Sequence, residues 1–192
     1  TGSRQLVFTI KAKELDDGIS IMAPDMEENT KAGKYMSVPV LTDSNGKKLK
    51  AGTDYEKTYV YTDENGNVLE KTDNPAKDSV LTVTVTGKGN YKGSTSTSFR
   101  ILTKGMNISK ASAKVDTKVY YTGEEIELTE KDFTVKIGGI TLTENDFEII
   151  GYSNNIKKGT AKVTIRGKGK YGGTKQVSFK ILSQNMKWWN RG

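Results

Sequence analysis

The chain contains neither cysteine nor histidine. The first absence excludes disulfides, a thiolate nucleophile and any thiolate metal site. The second removes the commonest general base and the commonest transition-metal ligand. Proline is scarce, with three in 192 residues, and long helical runs rich in alanine and leucine are missing. No stretch of about 18 apolar residues exists, so no segment reads as a membrane-spanning helix. No secretory signal peptide is visible, and Thr1-Gly2-Ser3 reads as a cloning remnant, so targeting segments are expected in a longer parent protein. A chain without cysteine suits the cytosol and a surface protein equally well.

What is present is a repeat. Val83-Thr84-Val85-Thr86-Gly87-Lys88-Gly89-Asn90-Tyr91, followed by Phe99-Arg100-Ile101-Leu102, recurs eighty residues later without a gap. The second copy is Val163-Thr164-Ile165-Arg166-Gly167-Lys168-Gly169-Lys170-Tyr171 with Phe179-Lys180-Ile181-Leu182. A repeat at fixed period outranks local signals because it sets the architecture first. In each copy, β-branched residues alternate with polar ones, a Gly-Lys-Gly cluster breaks the run, and a second alternating run ends on Phe-x-Ile. That pattern is strand, turn, strand. Two domains of about 90 residues are therefore expected, each large enough to fold with a modest core. The apolar share, counted with glycine and without tyrosine, is roughly 40%, below the usual ~45–50% and suited to thin sheets buried on one face.

Phe8-Thr9-Ile10 is a third relative of the Phe-x-Ile strand. Residues 1–13 are accordingly either the last strand of an upstream repeat or the first strand of domain 1, which spans 14–104. Domain 2 spans 105–184, and 185–192 is a tail or the start of a further repeat. Tyr35 to Leu41 reads as a strand, at an edge because of Pro39. Asn45-Gly46 and Asn65-Gly66 are the strongest hairpin signals. In the second unit Ile126-Glu127-Leu128 alternates, and Phe133 to Ile137 turns at Gly138-Gly139. Leu142 to Glu148 mirrors Leu49 to Glu56. The first unit carries about 12 additional residues near 63–78, expected as a longer hairpin. Short strands with frequent turns indicate a β-sandwich or a small barrel.

Taken together, Tyr121-Thr122-Gly123, Gly139-Ile140-Thr141-Leu142, Asp146-Phe147 and Gly159 to Ile181 resemble a bacterial immunoglobulin-like repeat. The first unit matches through Lys47-Lys48-Leu49, Asp54-Tyr55 and Val83 to Ile101. It departs at Ala32-Gly33-Lys34 and between Lys57 and Asp78. The resemblance implies two tandem immunoglobulin-like β-sandwiches from a secreted or wall-attached protein of Gram-positive bacteria, notably clostridia. It also implies a bacterial cell-surface location, and it transfers no catalytic residue. The alternative all-β layout is a β-grasp-like sheet carrying one helix.

Each tempting site has a plainer reading. Gly167-Lys168-Gly169-Lys170-Tyr171-Gly172 fits G-x-G-x-x-G, but a dinucleotide site needs a helix after the loop and a strand pattern follows. Asp63-Glu64-Asn65-Gly66-Asn67 spaces oxygens as a calcium loop does, but the glycine falls two places early and no glutamate follows at position twelve. Asp16-Asp17 and Glu124-Glu125 are adjacent pairs that would face opposite sides of a strand. Tyr91 and Tyr171 read as rings packed over a sandwich end, with sugar stacking as the rival. Trp188-Trp189 read as packing or a domain junction, with a glycan contact as the rival. No catalytic, cofactor or metal site is expected.

The charge is +7 overall and uneven: residues 1–104 nearly balance, whereas 105–192 hold 15 basic against 9 acidic residues. The basic half favours anionic wall polymers, although scattered lysines also serve simply to blunt sheet edges. No aromatic–basic platform for nucleic acid is recognisable, and no membrane insertion is expected. The expected partners are neighbouring domains of a longer surface protein, and anionic cell-wall polymers or glycans. The expected role is a non-catalytic spacer or adhesin module. The alternative is a carbohydrate-binding or accessory module of a secreted glycan-degrading enzyme. An enzyme in its own right is disfavoured, since carboxylate glycosidase chemistry needs a deep cleft that small sandwiches rarely supply.

Overall fold

A computed structural model describes residues 11–183, together with Arg4 and Thr9. Among the described residues the chain is almost entirely β, with fifteen strands and two single-turn 3-10 helices at Ile108–Lys110 and Glu130–Asp132. No helix longer than one turn crosses the repeat strands, so the β-grasp alternative is not the one adopted. The chain divides into two compact units, Thr1–Pro24 with Thr30–Ile101, and Asp25–Asn29 with Leu102–Gly192.

The first unit is built from β1 (Lys13–Glu14), β2 (Ile19–Met22), β4 (Val40–Asp43), β5 (Val60–Thr62), β6 (Val80–Thr86), β7 (Tyr91–Lys92) and β8 (Ser94–Leu102), whose last residue falls in the second unit. The short β3 (Met26–Glu27), between β2 and β4 in sequence, belongs to the other unit. Strands β2 and β4 pair antiparallel, β5-β6-β8 form an antiparallel meander, and β1 lies parallel to β7. The hairpin register from Val80↔Arg100 to Thr86↔Ser94 decides what is buried. With a period of two, Leu81, Val83 and Val85 face the core while Thr82, Thr84 and Thr86 face outward. Leu15, Ile19, Leu41, Leu49, Tyr55 and Val85 close one cluster between the β2–β4 pair and the meander.

An aromatic row fills the rest of this unit. Tyr35 meets Tyr61 edge-on at 5.6 Å between ring centroids, and Tyr61 meets Phe99 at 6.2 Å. The Tyr61 hydroxyl donates to the Ser37 carbonyl at 2.8 Å. Burial, with Tyr59 and Tyr35 nearby, pushes its phenol pKa up to about 12. This row explains why the strand expected from Tyr35 to Leu41 shortens to Val40–Asp43. Pro39 has no N–H to give a ladder. Ahead of it, the Tyr35 hydroxyl donates to the Glu70 carbonyl at 2.9 Å and the Ser37 hydroxyl to the Pro24 carbonyl at 2.5 Å.

The second unit is a sandwich of two sheets. Strands β9 (Ser112–Val115), β11 (Phe133–Ile137) and β12 (Ile140–Thr141) form one sheet in the order β12-β11-β9. Strands β10 (Val119–Tyr120), β13 (Phe147–Ser153), β14 (Gly159–Gly167) and β15 (Thr174–Leu182) form the other in the order β10-β15-β14-β13. The opening stretch is shared between them: β9 runs antiparallel to β11, then β10 crosses to lie parallel to β15. An opening strand split across both sheets of an otherwise antiparallel seven-stranded sandwich is the immunoglobulin-like arrangement that the resemblance implies. The core joins Phe133, Val135 and Ile137 of one sheet to Phe147, Val163, Ile165, Phe179 and Ile181 of the other. Each such side chain contributes roughly 1.5–3 kcal/mol by leaving water.

Three expectations are corrected. Ile126 to Leu128 is not a strand, because its backbone is bonded elsewhere: the Ile126 N–H donates to the Asn155 carbonyl and the Leu128 N–H to the Tyr152 hydroxyl. The residues near 63–78 are not one long hairpin. The hairpin closes at once through the antiparallel bridge Thr62↔Val68, and the remainder is an irregular segment tied back by Asp78 N–H to the Ile101 carbonyl. Finally, Asp25–Asn29, placed by sequence inside 14–104, makes its contacts with the second unit. The strand read at Leu6 to Ile10 lies largely outside the described residues.

Candidate functional site

The two Gly-Lys-Gly turns are the most conspicuous shared feature, and their geometry shows what they do. In the first, the Gly87 N–H donates to the Gly93 carbonyl, Lys88 to Asp54 and Tyr91 to Lys88. In the second, Gly167 donates to Gly173, Lys168 to Asp146 and Tyr171 to Lys168. The facing loops match as well, since the Asp54 carboxylate accepts from Lys50 N–H at 2.7 Å and that of Asp146 from Thr143 N–H at 2.8 Å. The glycines divide into two kinds. Gly89 and Gly169 sit at φ of 64° and 60°, where L-residues are strained. Gly87 and Gly167 have ordinary φ but no room, because an added Cβ would lie within 3 Å of the backbone at Tyr91-Lys92 and Tyr171-Gly172. A strand, not a helix, follows each turn, so no amide-rich helix end is available for a pyrophosphate. Tyr171 is only 2% exposed and belongs to the core, which removes it as a sugar-stacking platform. Tyr91 is half-buried against the Leu15 cluster. Trp188 and Trp189 lie outside the described residues.

The acidic loop at Asp63 has a twin. Asp63 Oδ1 accepts from the N–H groups of Asn65 and Asn67 at 2.9 and 2.8 Å, and its other oxygen accepts from the Asn67 amide. Asp43 Oδ1 accepts from the N–H groups of Asn45 and Lys47, both at 2.9 Å. Gly66 and Gly46 supply the left-handed residue each turn requires. The Asn67 amide, followed by the backbone donors, holds the Asp63 carboxyl below its ordinary range. Its oxygens are thus occupied in closing a hairpin. Calcium at millimolar concentration is expected to leave the thermal midpoint where it stands in EDTA. A bound ion would stabilise the fold by RT ln(1 + [Ca]/Kd) and so raise that midpoint with the logarithm of its concentration, and such a rise would show that the loop is a metal site. Among the described residues no three acidic side chains converge on a common point. Asp16, Asp17, Glu124 and Glu125 lie in exposed turns.

An open recess of ≈ 300 Å³ lies beside the Asp63 hairpin, lined by Asp63, Leu69, Asp73, Asn74, Pro75, Ser79 and Leu81. Its acidic groups are also committed to turns, since Asp73 accepts from the Glu70 N–H at 2.7 Å. It belongs to the stretch that the second unit lacks.

One polar cluster was not legible as such. Glu27 Oε1 accepts from the N–H groups of Gly105 and Asn107 at 3.2 and 3.4 Å, and Oε2 pairs with Lys110 Nζ at 2.5 Å. Beside it, the Asp25 carboxylate accepts from the Gly173 N–H at 2.8 Å, and the Asn107 amide donates to the Asp25 carbonyl. Burial tends to raise the Glu27 pKa, but Lys110 and the two backbone donors outweigh it and hold the carboxyl below its ordinary range. In the sequence these acids are scattered in a segment without alternation, and their partners lie about eighty residues away or, for Gly173, 148. The cluster fastens Asp25–Asn29 into the second unit, with both carboxylates engaged by these donors.

No protein-family profile matches the chain, and no curated protein matches it. Among solved structures, the protocadherin gamma B4 extracellular domain aligns over 90% of this chain at 15% identity with a TM-score of 0.22. The chain spans 34% of that protein's length. A superposition of that quality assigns neither fold nor function. The strands and the sheets themselves define the class, an all-β protein of tandem sandwich units.

Proposed function

We propose that the chain is a non-catalytic spacer or adhesion module of a surface-attached or secreted bacterial protein, as the resemblance of its repeat to Gram-positive immunoglobulin-like modules implies. The supporting observation is how the polar groups are used. The acids most suggestive of chemistry, Asp54, Asp63, Asp146, Asp25 and Glu27, accept hydrogen bonds that hold turns and strand ends. The outward faces of the paired strands carry threonine, serine and lysine, as in Thr82–Ser98 and Thr160–Lys180. Such a surface suits a module that keeps its sheets soluble and separates what it joins. Its basic second half would give weak, electrostatic attraction to anionic cell-wall polymers.

The second reading, a carbohydrate-binding module, draws on the exposed rings of Tyr120 and Tyr121. The two readings separate by salt. Attraction to an anionic polymer should fade as ionic strength passes ~0.15 M, where the Debye length is about 8 Å. Stacking on a neutral sugar is scarcely screened. Affinity electrophoresis on starch, mannan and xylan is expected to show no retardation at either salt concentration. Salt-resistant retardation by any of them, lost on Tyr120→Ala, would replace the spacer reading with the glycan-binding one.

A further inference from the structure

The repeat hairpins of the two units differ in the charge on their outer faces. On β14 and β15 the outward residues alternate with the core residues Val163, Ile165, Phe179 and Ile181. The eighty-residue offset places Lys162 where the first unit has Thr82, Arg166 where it has Thr86, and Lys180 where it has Arg100. Arg166 is engaged by the Glu148 carboxylate of β13, to which its Nε and Nη2 donate at 2.9 and 2.7 Å. Lys162 and Lys180 are placed differently. Lys162 lies opposite Ser178 and Lys180 opposite Thr160, so the two are diagonal neighbours that leave the sheet about 7–8 Å apart. Both are exposed. The Lys180 ammonium donates to Thr160 Oγ1 at 2.5 Å, and Ser153 of β13 flanks Lys162 on the other side. Among the described residues these rows of the sheet hold hydroxyls and ammonium groups and no carboxylate. Glu124 and Glu125 lie on the loop that Ile126 ties to Asn155, at the end of the sheet and not in these rows.

Two ordinary uses of lysine do not account for this pair. Lysine on an edge strand discourages pairing with another chain, but β14 and β15 are the inner strands of their sheet. Lysine also stabilises a sheet when it stands across from a carboxylate, and here its neighbours are serine and threonine. We infer that this face is the seat of a linear polyanion, a chain of polyol units joined by phosphodiesters, with Lys162 and Lys180 each meeting a phosphate. A single anion finds no cage, because the β14 and β15 amides are spent in the ladder from Gly159↔Ile181 to Arg166↔Thr174. It would meet only exposed charges screened by salt. A polymer gains at each successive charge, since every phosphate neutralised releases condensed counterions. The hydroxyls of Ser153, Thr160 and Ser178 match those of a polyol. The rows that hold the lysines offer no aromatic ring on which a base could stack, which disfavours a nucleic acid. The inference deepens the electrostatic attraction proposed above, and it rests on that reading.

Fluorescence anisotropy of labelled poly(glycerol phosphate), titrated with the full chain at several salt concentrations, tests this. The wild type is expected to bind, with affinity that falls as salt rises. Lys162→Gln with Lys180→Gln should weaken binding several-fold and flatten the plot of log K against log salt by about 1 for each lysine. Lys162→Arg with Lys180→Arg keeps both charges and should restore the affinity. Lys131→Gln with Lys136→Gln removes the same charge at exposed positions on and beside β11, in the other sheet, and should leave binding close to wild type. Equal losses from the two glutamine pairs would overturn the inference and leave the general attraction standing, because the polymer would then sense net charge alone. No binding by the wild type would overturn both. Tighter binding to oligo(dT) than to poly(glycerol phosphate) would replace the polyol polymer with a nucleic acid.

Discussion

Replacing Phe147 with alanine is expected to lower the stability of the second unit by about 3–5 kcal/mol. The ring is 1% exposed, lies edge-on to Phe133 at 6.0 Å between centroids, and sits where both sheets of the sandwich meet. Its removal takes away the transfer free energy of the ring and leaves a cavity, because β13 is held in register by β14 from Phe147↔Gly167 to Ser153↔Lys162 and cannot collapse inward. For a unit of this size each kcal/mol moves Tm by roughly 4–8 °C. The second unit should therefore melt well before the first, which gives a biphasic thermal transition. Phe147→Leu, which keeps most of the volume, should cost less than half as much. A single transition close to the wild-type midpoint would mean that Phe147 is not a core residue.

Gly167→Ala should be more damaging than Gly169→Ala in the second repeat turn. The new Cβ would lie 2.7 Å from the Gly172 nitrogen and 2.8 Å from the Tyr171 carbonyl carbon, so backbone and not a flexible side chain must move. Forced movement of a packed segment costs roughly 1–3 kcal/mol. About 1 kcal/mol more is lost if the Gly167 N–H to Gly173 carbonyl bond opens. Gly169→Ala meets open space and has only its φ of 60° to contend with, a cost of about 1–2 kcal/mol. Urea denaturation of both variants should rank Gly167 above Gly169, with the Gly87 and Gly89 substitutions showing backbone clashes of their own in the first unit. The reverse order at the second turn would show that steric room, not φ, has been misassigned there.

Much of this architecture is written locally in the chain. Val83, Val85, Val163 and Ile165 alternate with threonine, lysine or arginine, and Phe99, Ile101, Phe179 and Ile181 recur at fixed distance, so their burial follows from strand periodicity alone. The Asn-Gly pairs announce turns because few other residues accept their backbone angles. What escaped was decided by distant partners. Tyr35 and Ser37 look like strand residues until Glu70 and Pro24 claim their hydroxyls. Ile126 alternates properly with Leu128, yet its N–H is claimed by Asn155. The Asp63 loop, by contrast, was legible as a turn from its early glycine, and the Asn65 and Asn67 amides are what occupy its oxygens. Asp25 and Glu27 gave no signal, because nothing near them in sequence marks Gly105, Asn107 or Gly173 as their donors.

The assignment of Asp25–Asn29 to the second unit has a consequence for how such modules can be exchanged. A gene segment duplicated at the repeat boundary, near residue 104, would carry Asn107, Lys110 and Gly173 but leave behind the carboxylates of Asp25 and Glu27 that those groups engage. A transplanted copy would then be complete in its own sheets yet short of two acceptors. It would find them only behind a neighbour with acids at the same places.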